Sequence, residues 1–371
     1  MALVPGLAVE QAAPLDHRMN ERVLRVPSAG ITLETTLFRP NGPGPFPLLV
    51  INHGKNAGPA SGQPRERFIV MAAAFVKRGY AVMVPMRQGF AGSGGQYHDM
   101  GCDMSANGYL QADDIAAVVE FAQQQSWVDG EHIIVAGQSY GGLATLALGT
   151  MGLPGVRGLL NFAGGLRDRE ERCDWRAGLL KAFHEYGALG TLPSLWIYGE
   201  NDSLFPPALV RRLHHNYEQA GGQARLVMTP PFKHDAHGLL ASRDGEKIWW
   251  HETERFLEQV GMPTREVVAV SPPPAPARTD FASLVDIEAV PYLGEKGREG
   301  YREYLSKLTP RAFAVSSNGA WSWAEEGEDP DSRALDACRQ SSGQACQLYS
   351  VDNDVVWPVG ASGARRVESS P

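Results

Sequence analysis

Ile133-Ile134-Val135-Ala136-Gly137-Gln138-Ser139-Tyr140-Gly141-Gly142-Leu143-Ala144-Thr145-Leu146-Ala147-Leu148 is the stretch on which the fold is decided. Its four leading apolar residues read as a buried strand, and Leu143 onward reads as a helix. The turn between them is so tight that a Cβ two places before or after Ser139 would collide with the crossing backbone, hence Gly137 and Gly141. Ser139 is left at the tip. A serine hydroxyl is a weak nucleophile until a base takes its proton, so a strained turn that lifts it clear of a sheet points to chemistry. Glycine makes up 41 of the 371 residues, so a Gly-x-Ser-x-Gly pattern can arise by chance; the strand before it and the helix after it give it meaning.

Composition bounds the rest. With 43% hydrophobic and 20% charged residues the chain is globular, and its length allows one large α/β domain plus something smaller. A net charge of −8 without basic blocks argues against a nucleic-acid partner. No apolar run approaches the roughly 20 residues needed to span a bilayer. Residues 1–13 resemble the end of a signal-peptide apolar region whose basic start is missing, although Glu10 spoils the small-residue cleavage pattern. Four cysteines, an even number, add weight to a periplasmic or secreted location over a cytoplasmic one.

Taken in order, residues 22–26 and 31–38 read as an opening β-hairpin around Ser28-Ala29-Gly30. Leu48-Leu49-Val50-Ile51 is a continuous apolar run of the kind found in a parallel strand covered on both faces, ending in Asn52-His53-Gly54-Lys55. Residues 68–78 read as a helix closed by Gly79, and 80–84 as a strand. A helix is expected over 113–125, with Asp113 or Asp114 at its start, where negative charge is favoured. Beyond the Ser139 turn, 156–162, 192–198 and 225–228 supply further buried strands, and 245–260 a closing helix. The charged segment 164–190 would overhang the carboxyl ends of the strands, where ligands bind in such sheets.

Two later loops leave the same sheet edge as Ser139: Glu200-Asn201-Asp202 and His234-Asp235-Ala236-His237-Gly238. His237 would take the proton of the Ser139 hydroxyl, and Asp202 would hold the imidazole in the right tautomer. Glu200 is the alternative acid. His234 is the alternative base; His237 is preferred because Gly238 permits a close approach, whereas His234 follows Phe232-Lys233. The backbone amides of Tyr140 and Lys55 are the expected pair of donors to a developing oxyanion. His53 reads as a structural support of that loop, and His214 and His215 as surface-helix residues without clustered metal partners. No metal or other cofactor is called for.

Residues 22–261 resemble the α/β-hydrolase superfamily, in which a mostly parallel sheet carries helices on both faces and the order is nucleophile, acid, histidine. The set Asn52-His53-Gly54, Arg87-Gln88-Gly89-Phe90-Ala91-Gly92-Ser93-Gly94, Gly137-Gln138-Ser139-Tyr140-Gly141, Gly199-Glu200-Asn201-Asp202 and His237-Gly238 is similar to its dienelactone-hydrolase-like branch. Dienelactone hydrolase proper uses a cysteine where this chain has Ser139, which counts against the lactone reaction. The resemblance implies a serine hydrolase acting on a small-molecule or polymer-derived ester, without cofactor. A serine peptidase of the acyl-peptide type, or a non-catalytic scaffold presenting the C-terminal segment, are the alternatives.

The organisation that follows is a leader or signal-peptide remnant (1–21), a catalytic domain (22–261), a proline-rich linker (262–284), a small α/β module (285–360) and a disordered tail (361–371). Within the module, 300–307 and 331–339 read as helical and 311–325 and 346–357 as strand-like, with Trp321 and Trp323 on one face. Keeping each bond inside one domain pairs Cys102 with Cys173 and Cys338 with Cys346.

Overall fold

The computed structural model describes residues 19–168, 173–233, 235–271, 274–325 and 329–359 and divides into two compact units, 1–272 and 273–371. Most of the leader (1–18), the tail (361–371) and His234 lie outside the described residues. Of the leader, Met19 and Glu21 are buried in the first unit, where Glu21 pairs with Arg65 and Arg67.

The first unit opens with the antiparallel hairpin β1 (Arg22–Ser28) and β2 (Ile31–Phe38). Six parallel strands follow: β3 (Phe46–Asn52), β4 (Ala81–Pro85), β5 (Val128–Gln138), β6 (Val156–Phe162), β7 (Ser194–Gly199) and β8 (Ala224–Thr229). They form one eight-stranded sheet in the order β1-β2-β4-β3-β5-β6-β7-β8, with β2 antiparallel to β4. The apolar runs alternate between its faces. Leu48, Val50, Ile133 and Val135 pack with α2 (Met104–Gln123) and α3 (Tyr140–Leu148), whereas Leu49, Ile51, Ile134 and Ala136 pack with α1 (Ile69–Val76) and α6 (Glu246–Gln259). Both faces are therefore dry, as continuous apolar strands require. α4 (Trp175–Leu189) fills the charged segment expected to overhang the sheet, and α5 (Pro207–Gln219) precedes the last strand.

One helix begins earlier than its sequence indicates. α2 starts at Met104, with the Asp103 side chain accepting from the Ala106 amide as its N-cap. Gly108 falls inside this helix: a Cβ there would lie 2.0 Å from the Tyr186 hydroxyl, so the glycine makes room for a neighbour on α4. Asp114 consequently sits mid-helix and buried, accepting from Ser28 Oγ at 3.0 Å and the Gln88 amide at 2.6 Å. Burial raises its carboxyl from the usual range.

The ends of the expected linker pack on the units they adjoin. Tyr80 Oη donates to the Pro263 carbonyl at 2.7 Å, Val267 N to the Lys77 carbonyl at 2.9 Å, and Met262 is buried. On the other side, Thr279 N donates to the Val355 carbonyl at 2.8 Å, and Phe281 and Leu284 join the second core.

The second unit holds α7 (Glu295–Leu305), α8 (Pro330–Ser342) and an antiparallel sheet in the order β10-β9-β11-β12, from β9 (Arg311–Ser316), β10 (Trp321–Glu325), β11 (Cys346–Val351) and β12 (Asp354–Val355). The strand-like stretch 311–325 is thus a hairpin, turned at Gly319 with φ of 84°. Trp321 and Trp323 both pack into the aromatic core of Tyr301, Tyr304, Phe313 and Tyr349. Disulfides join Cys338 to Cys346 here and Cys102 to Cys173 in the first unit.

Candidate active site

Ser139 sits between β5 and α3 with φ 55° and ψ −122°, a conformation that costs a non-glycine residue about 1–3 kcal/mol. The crowding around it accounts for its neighbours. A Cβ at Gly137 would lie 2.1 Å from the Gly141 carbonyl oxygen, and one at Gly141 2.1 Å from the Asn52 carbonyl oxygen. The turn is pinned by the Ser139 amide donating to the Phe162 carbonyl at 3.0 Å, and by its own carbonyl accepting from Gly142 and Gly165, each at 2.9 Å.

Asp202 follows β7 and His237 lies in the short 3-10 turn Ala236–Gly238, and the structure brings them together. His237 Nδ1 is 3.0 Å from Asp202 Oδ2, and both residues are buried. The other carboxylate oxygen is already engaged, accepting from the amides of Leu204 at 2.8 Å and Phe205 at 2.9 Å. With an acceptor-only carboxylate on Nδ1, the hydrogen-bond network assigns the proton to Nδ1 and leaves Nε2 as the acceptor. Glu200, the alternative acid, is exposed.

Three residues that the sequence does not single out hold this arrangement. Gln138, next to Ser139, donates through Nε2 to the His237 carbonyl at 2.7 Å. Asp235 accepts from the His237 amide at 2.9 Å and from Ser203. Phe205 lies 5.7 Å from the His237 ring, centroid to centroid. Only Asp235 carries a local signal, as an Asx cap two residues ahead of the histidine.

Tyr140 follows Ser139 directly, and Lys55 follows Gly54, which packs on the turn. Gly54 approaches so closely that a Cβ there would lie 3.2 Å from Ser139 Cβ. Lys55 Nζ is spent on the carbonyls of Asn56 at 3.2 Å and Gly58 at 3.1 Å, and lies 5.3 Å over the Tyr97 ring. Tyr140 is the first residue of α3, where amides have no intrahelical acceptor; its buried phenol donates to the Asn107 carbonyl at 3.1 Å and is pushed well above its usual pKa by burial. His53 is fully buried and its pKa is held well below the usual value, first by desolvation and then by Arg87. His214 is half-buried against Trp196, with Nε2 at 3.1 Å from the Ala224 carbonyl.

A cavity of about 330 Å³ adjoins the turn, lined among others by Lys55, Tyr97, Met104, Leu166 and Asp168. Lys55 follows Gly54, the Tyr97 ring lies edge-on to the Tyr140 ring at 6.5 Å between centroids, and Leu166 follows Gly165, whose amide donates to the Ser139 carbonyl. The Cys102–Cys173 bond ties the two loops that wall it. Among the described residues, Cys102, Asp168 and Cys173 form a group with metal-ligand spacing, and the disulfide takes both sulfurs. No helix among the described residues is long and apolar enough to cross a membrane.

Residues 29–192 match the family model described as X-Pro dipeptidyl-peptidase (S15 family). No curated protein matches the chain. Among solved structures, an acylaminoacyl peptidase from Pyrococcus horikoshii is similar at 17% identity and a TM-score of 0.50, over 69% of this chain and 44% of that one. A puromycin-hydrolyzing peptidase from Mycobacterium tuberculosis is similar at 19% identity and a TM-score of 0.50, over 70% and 42%. This chain spans less than half the length of either. Est1E from Butyrivibrio proteoclasticus, solved with ferulic acid bound, is similar at 22% identity and a TM-score of 0.47, over 64% and 98%.

Proposed function

We propose that this chain, which has the α/β-hydrolase fold, is a serine hydrolase that cleaves a carboxylic ester through an acyl-enzyme. The observation that carries the reading is the buried Asp202–His237 pair, 3.0 Å apart and hooked through the His237 carbonyl to Gln138, the residue before the strained Ser139.

In this reading Ser139 Oγ forms a bond to the ester carbonyl carbon while its proton passes to His237 Nε2, and the carbonyl π pair moves onto oxygen. The amides of Lys55 and Tyr140 receive that charge, a donor of this kind being worth roughly 3 kcal/mol. Collapse breaks the bond to the alkoxide, which leaves with the proton from His237. Water then attacks the acyl-Ser139, giving its proton to His237, and the carboxylic acid departs as Ser139 recovers its proton. Asp202 keeps the Nδ1–H in place and offsets the imidazolium charge. The neighbouring cavity of about 330 Å³ is at the small end of ligand pockets and fits an acyl or alcohol group of moderate size. Two disulfides support a periplasmic or secreted setting.

Peptide hydrolysis is a second reading, favoured by the X-Pro dipeptidyl-peptidase match over residues 29–192. The two share every step except the leaving group, and an ester makes the smaller demand because its carbonyl is less resonance-stabilised and its oxygen can depart with little protonation, whereas an amide nitrogen must be protonated before it leaves. A fluorophosphonate should add one adduct to the peptide containing Ser139 and none in Ser139→Ala; an adduct that persists in the variant overturns the assignment. Aryl esters, Xaa-Pro peptides, acyl-peptides and lactones assayed side by side decide the substrate class, with ester turnover exceeding the rest as the expected result.

A further inference from the structure

We propose that Gln63 is a positioning residue for catalysis: its carboxamide sets the direction of the Lys55 amide by holding the peptide units on both sides of that residue. The proposal rests on the reading of Lys55 as an oxyanion donor.

Gln63 closes the short 3-10 turn Ala60–Gly62, with its own amide donating to the Ala60 carbonyl at 3.0 Å, and is only 6% exposed. Its Oε1 accepts from the Asn56 amide at 3.0 Å, and its Nε2 donates to the Gly54 carbonyl at 3.3 Å. The first of these bonds fixes the orientation of the side chain, because only oxygen can face an N–H donor. Nitrogen then necessarily faces the carbonyl.

His53 leads to the same assignment. Its Nε2 accepts from the Arg87 amide at 3.2 Å, so the ring proton is on Nδ1, 2.6 Å from the Gly54 oxygen. Gln63 Nε2 also lies 3.3 Å from that Nδ1, but two donors do not bond, which leaves the Gly54 carbonyl as the shared acceptor. The carbonyl of Gly54 and the N–H of Lys55 belong to one planar trans unit and point in opposite directions. Two donors that fix the carbonyl therefore fix the amide. The Asn56 bond fixes the next peptide plane, so a single buried carboxamide brackets Lys55 from both ends. Gly54 itself lies against Ser139, where a Cβ would come within 3.2 Å of the serine Cβ, so a rotation of this unit is felt at the nucleophile.

The test compares the full chain with Gln63→Leu, which removes both bonds, and Gln63→Glu, which keeps an acceptor for Asn56 but turns an acceptor toward the Gly54 carbonyl. Readouts are kcat and KM on an aryl ester, affinity for a trifluoromethyl ketone of the same acyl group, and thermal midpoint. Losing an oxyanion donor costs 10²- to 10³-fold, so mis-aiming one should lower kcat roughly 10- to 100-fold, with KM changed by less than about threefold. Affinity for the ketone, which becomes a tetrahedral oxyanion on Ser139, should fall by the same factor, in Gln63→Glu as in Gln63→Leu. Folded variants whose kcat and ketone affinity stay within about twofold of the wild type overturn the proposal, whatever their thermal midpoint. If Gln63→Leu does not fold, the kcat and ketone affinity of Gln63→Glu alone decide between these outcomes. A wild-type chain that neither turns over esters nor labels at Ser139 would instead remove the serine-hydrolase reading beneath it.

Discussion

Gln138 Nε2 donates to the main-chain carbonyl of His237 at 2.7 Å, joining the residue before the nucleophile to the candidate base across 99 positions of sequence. The bond sets the height of the histidine loop above the elbow independently of Asp202, which holds only the ring. Gln138→Leu leaves a buried carbonyl without its donor, which should cost about 1–3 kcal/mol in chemical denaturation. Turnover should fall about tenfold through misplacement of the imidazole, with KM little changed. Unaltered turnover in a destabilised variant would make the bond purely structural.

Asp202→Asn separates orientation from packing. The Asn Oδ1 can still accept from the Leu204 and Phe205 amides, so the loop should survive, while its amide group would face His237 with a donor and force the wrong tautomer. We expect kcat to fall roughly 10³- to 10⁴-fold with a nearly unchanged thermal midpoint, by comparison with the same substitution in a serine protease triad. Retained activity would transfer the role to Glu200.

The elbow and its flanking strands were legible because glycine at two fixed offsets from a serine is a local steric requirement, and the Gly137 and Gly141 approaches bear it out. The sheet was legible for a similar reason, since runs such as Leu48 to Ile51 have no polar face and must be covered twice. The supports were not. Gln138 and Gln63 act through tertiary bonds that leave no periodicity, and a lone glutamine at a strand end or in a loop ordinarily faces water. The start of α2 is hidden because Asn107-Gly108 has the chemistry of a break, and only the Tyr186 hydroxyl lying against it explains a glycine inside a helix.

His53 gives a pH signature of stability. Burial, reinforced by Arg87, lowers its folded pKa well below 6.5, the value it regains on unfolding. Below about pH 6.5 the unfolded chain therefore takes up a proton that the folded chain refuses, so stability is full above that pH and declines beneath it. The decline attributable to this group is at most about 1.4 kcal/mol per pH unit. Urea denaturation of the wild type and His53→Gln between pH 5 and 8 should give difference curves that are flat above about pH 7 and converge as pH falls. Parallel curves across the range would mean that His53 titrates normally in the folded protein.

The packing of residues 262–270 fixes where the first unit can be cut. Ending the chain at Gly261 removes Met262, the Pro263 carbonyl that accepts from Tyr80, the Thr264 carbonyl that accepts from Arg78 Nε at 2.9 Å, and the Val267 amide bound to Lys77. A buried tyrosine hydroxyl and a largely buried guanidinium would be left to find other partners, at about 1–3 kcal/mol each. A chain ending at Ser271 keeps all four contacts together with Val270, which packs on the same core. Ser139, Asp202, His237 and the amides of Lys55 and Tyr140 all precede both ends, so we expect the 1–271 chain to fold and to hydrolyse a small aryl ester with kcat within about threefold of the full chain. The 1–261 chain should melt several degrees lower and label more slowly with a fluorophosphonate. If 1–271 is folded but inactive, the second unit contributes to turnover and the two cannot be treated as separable.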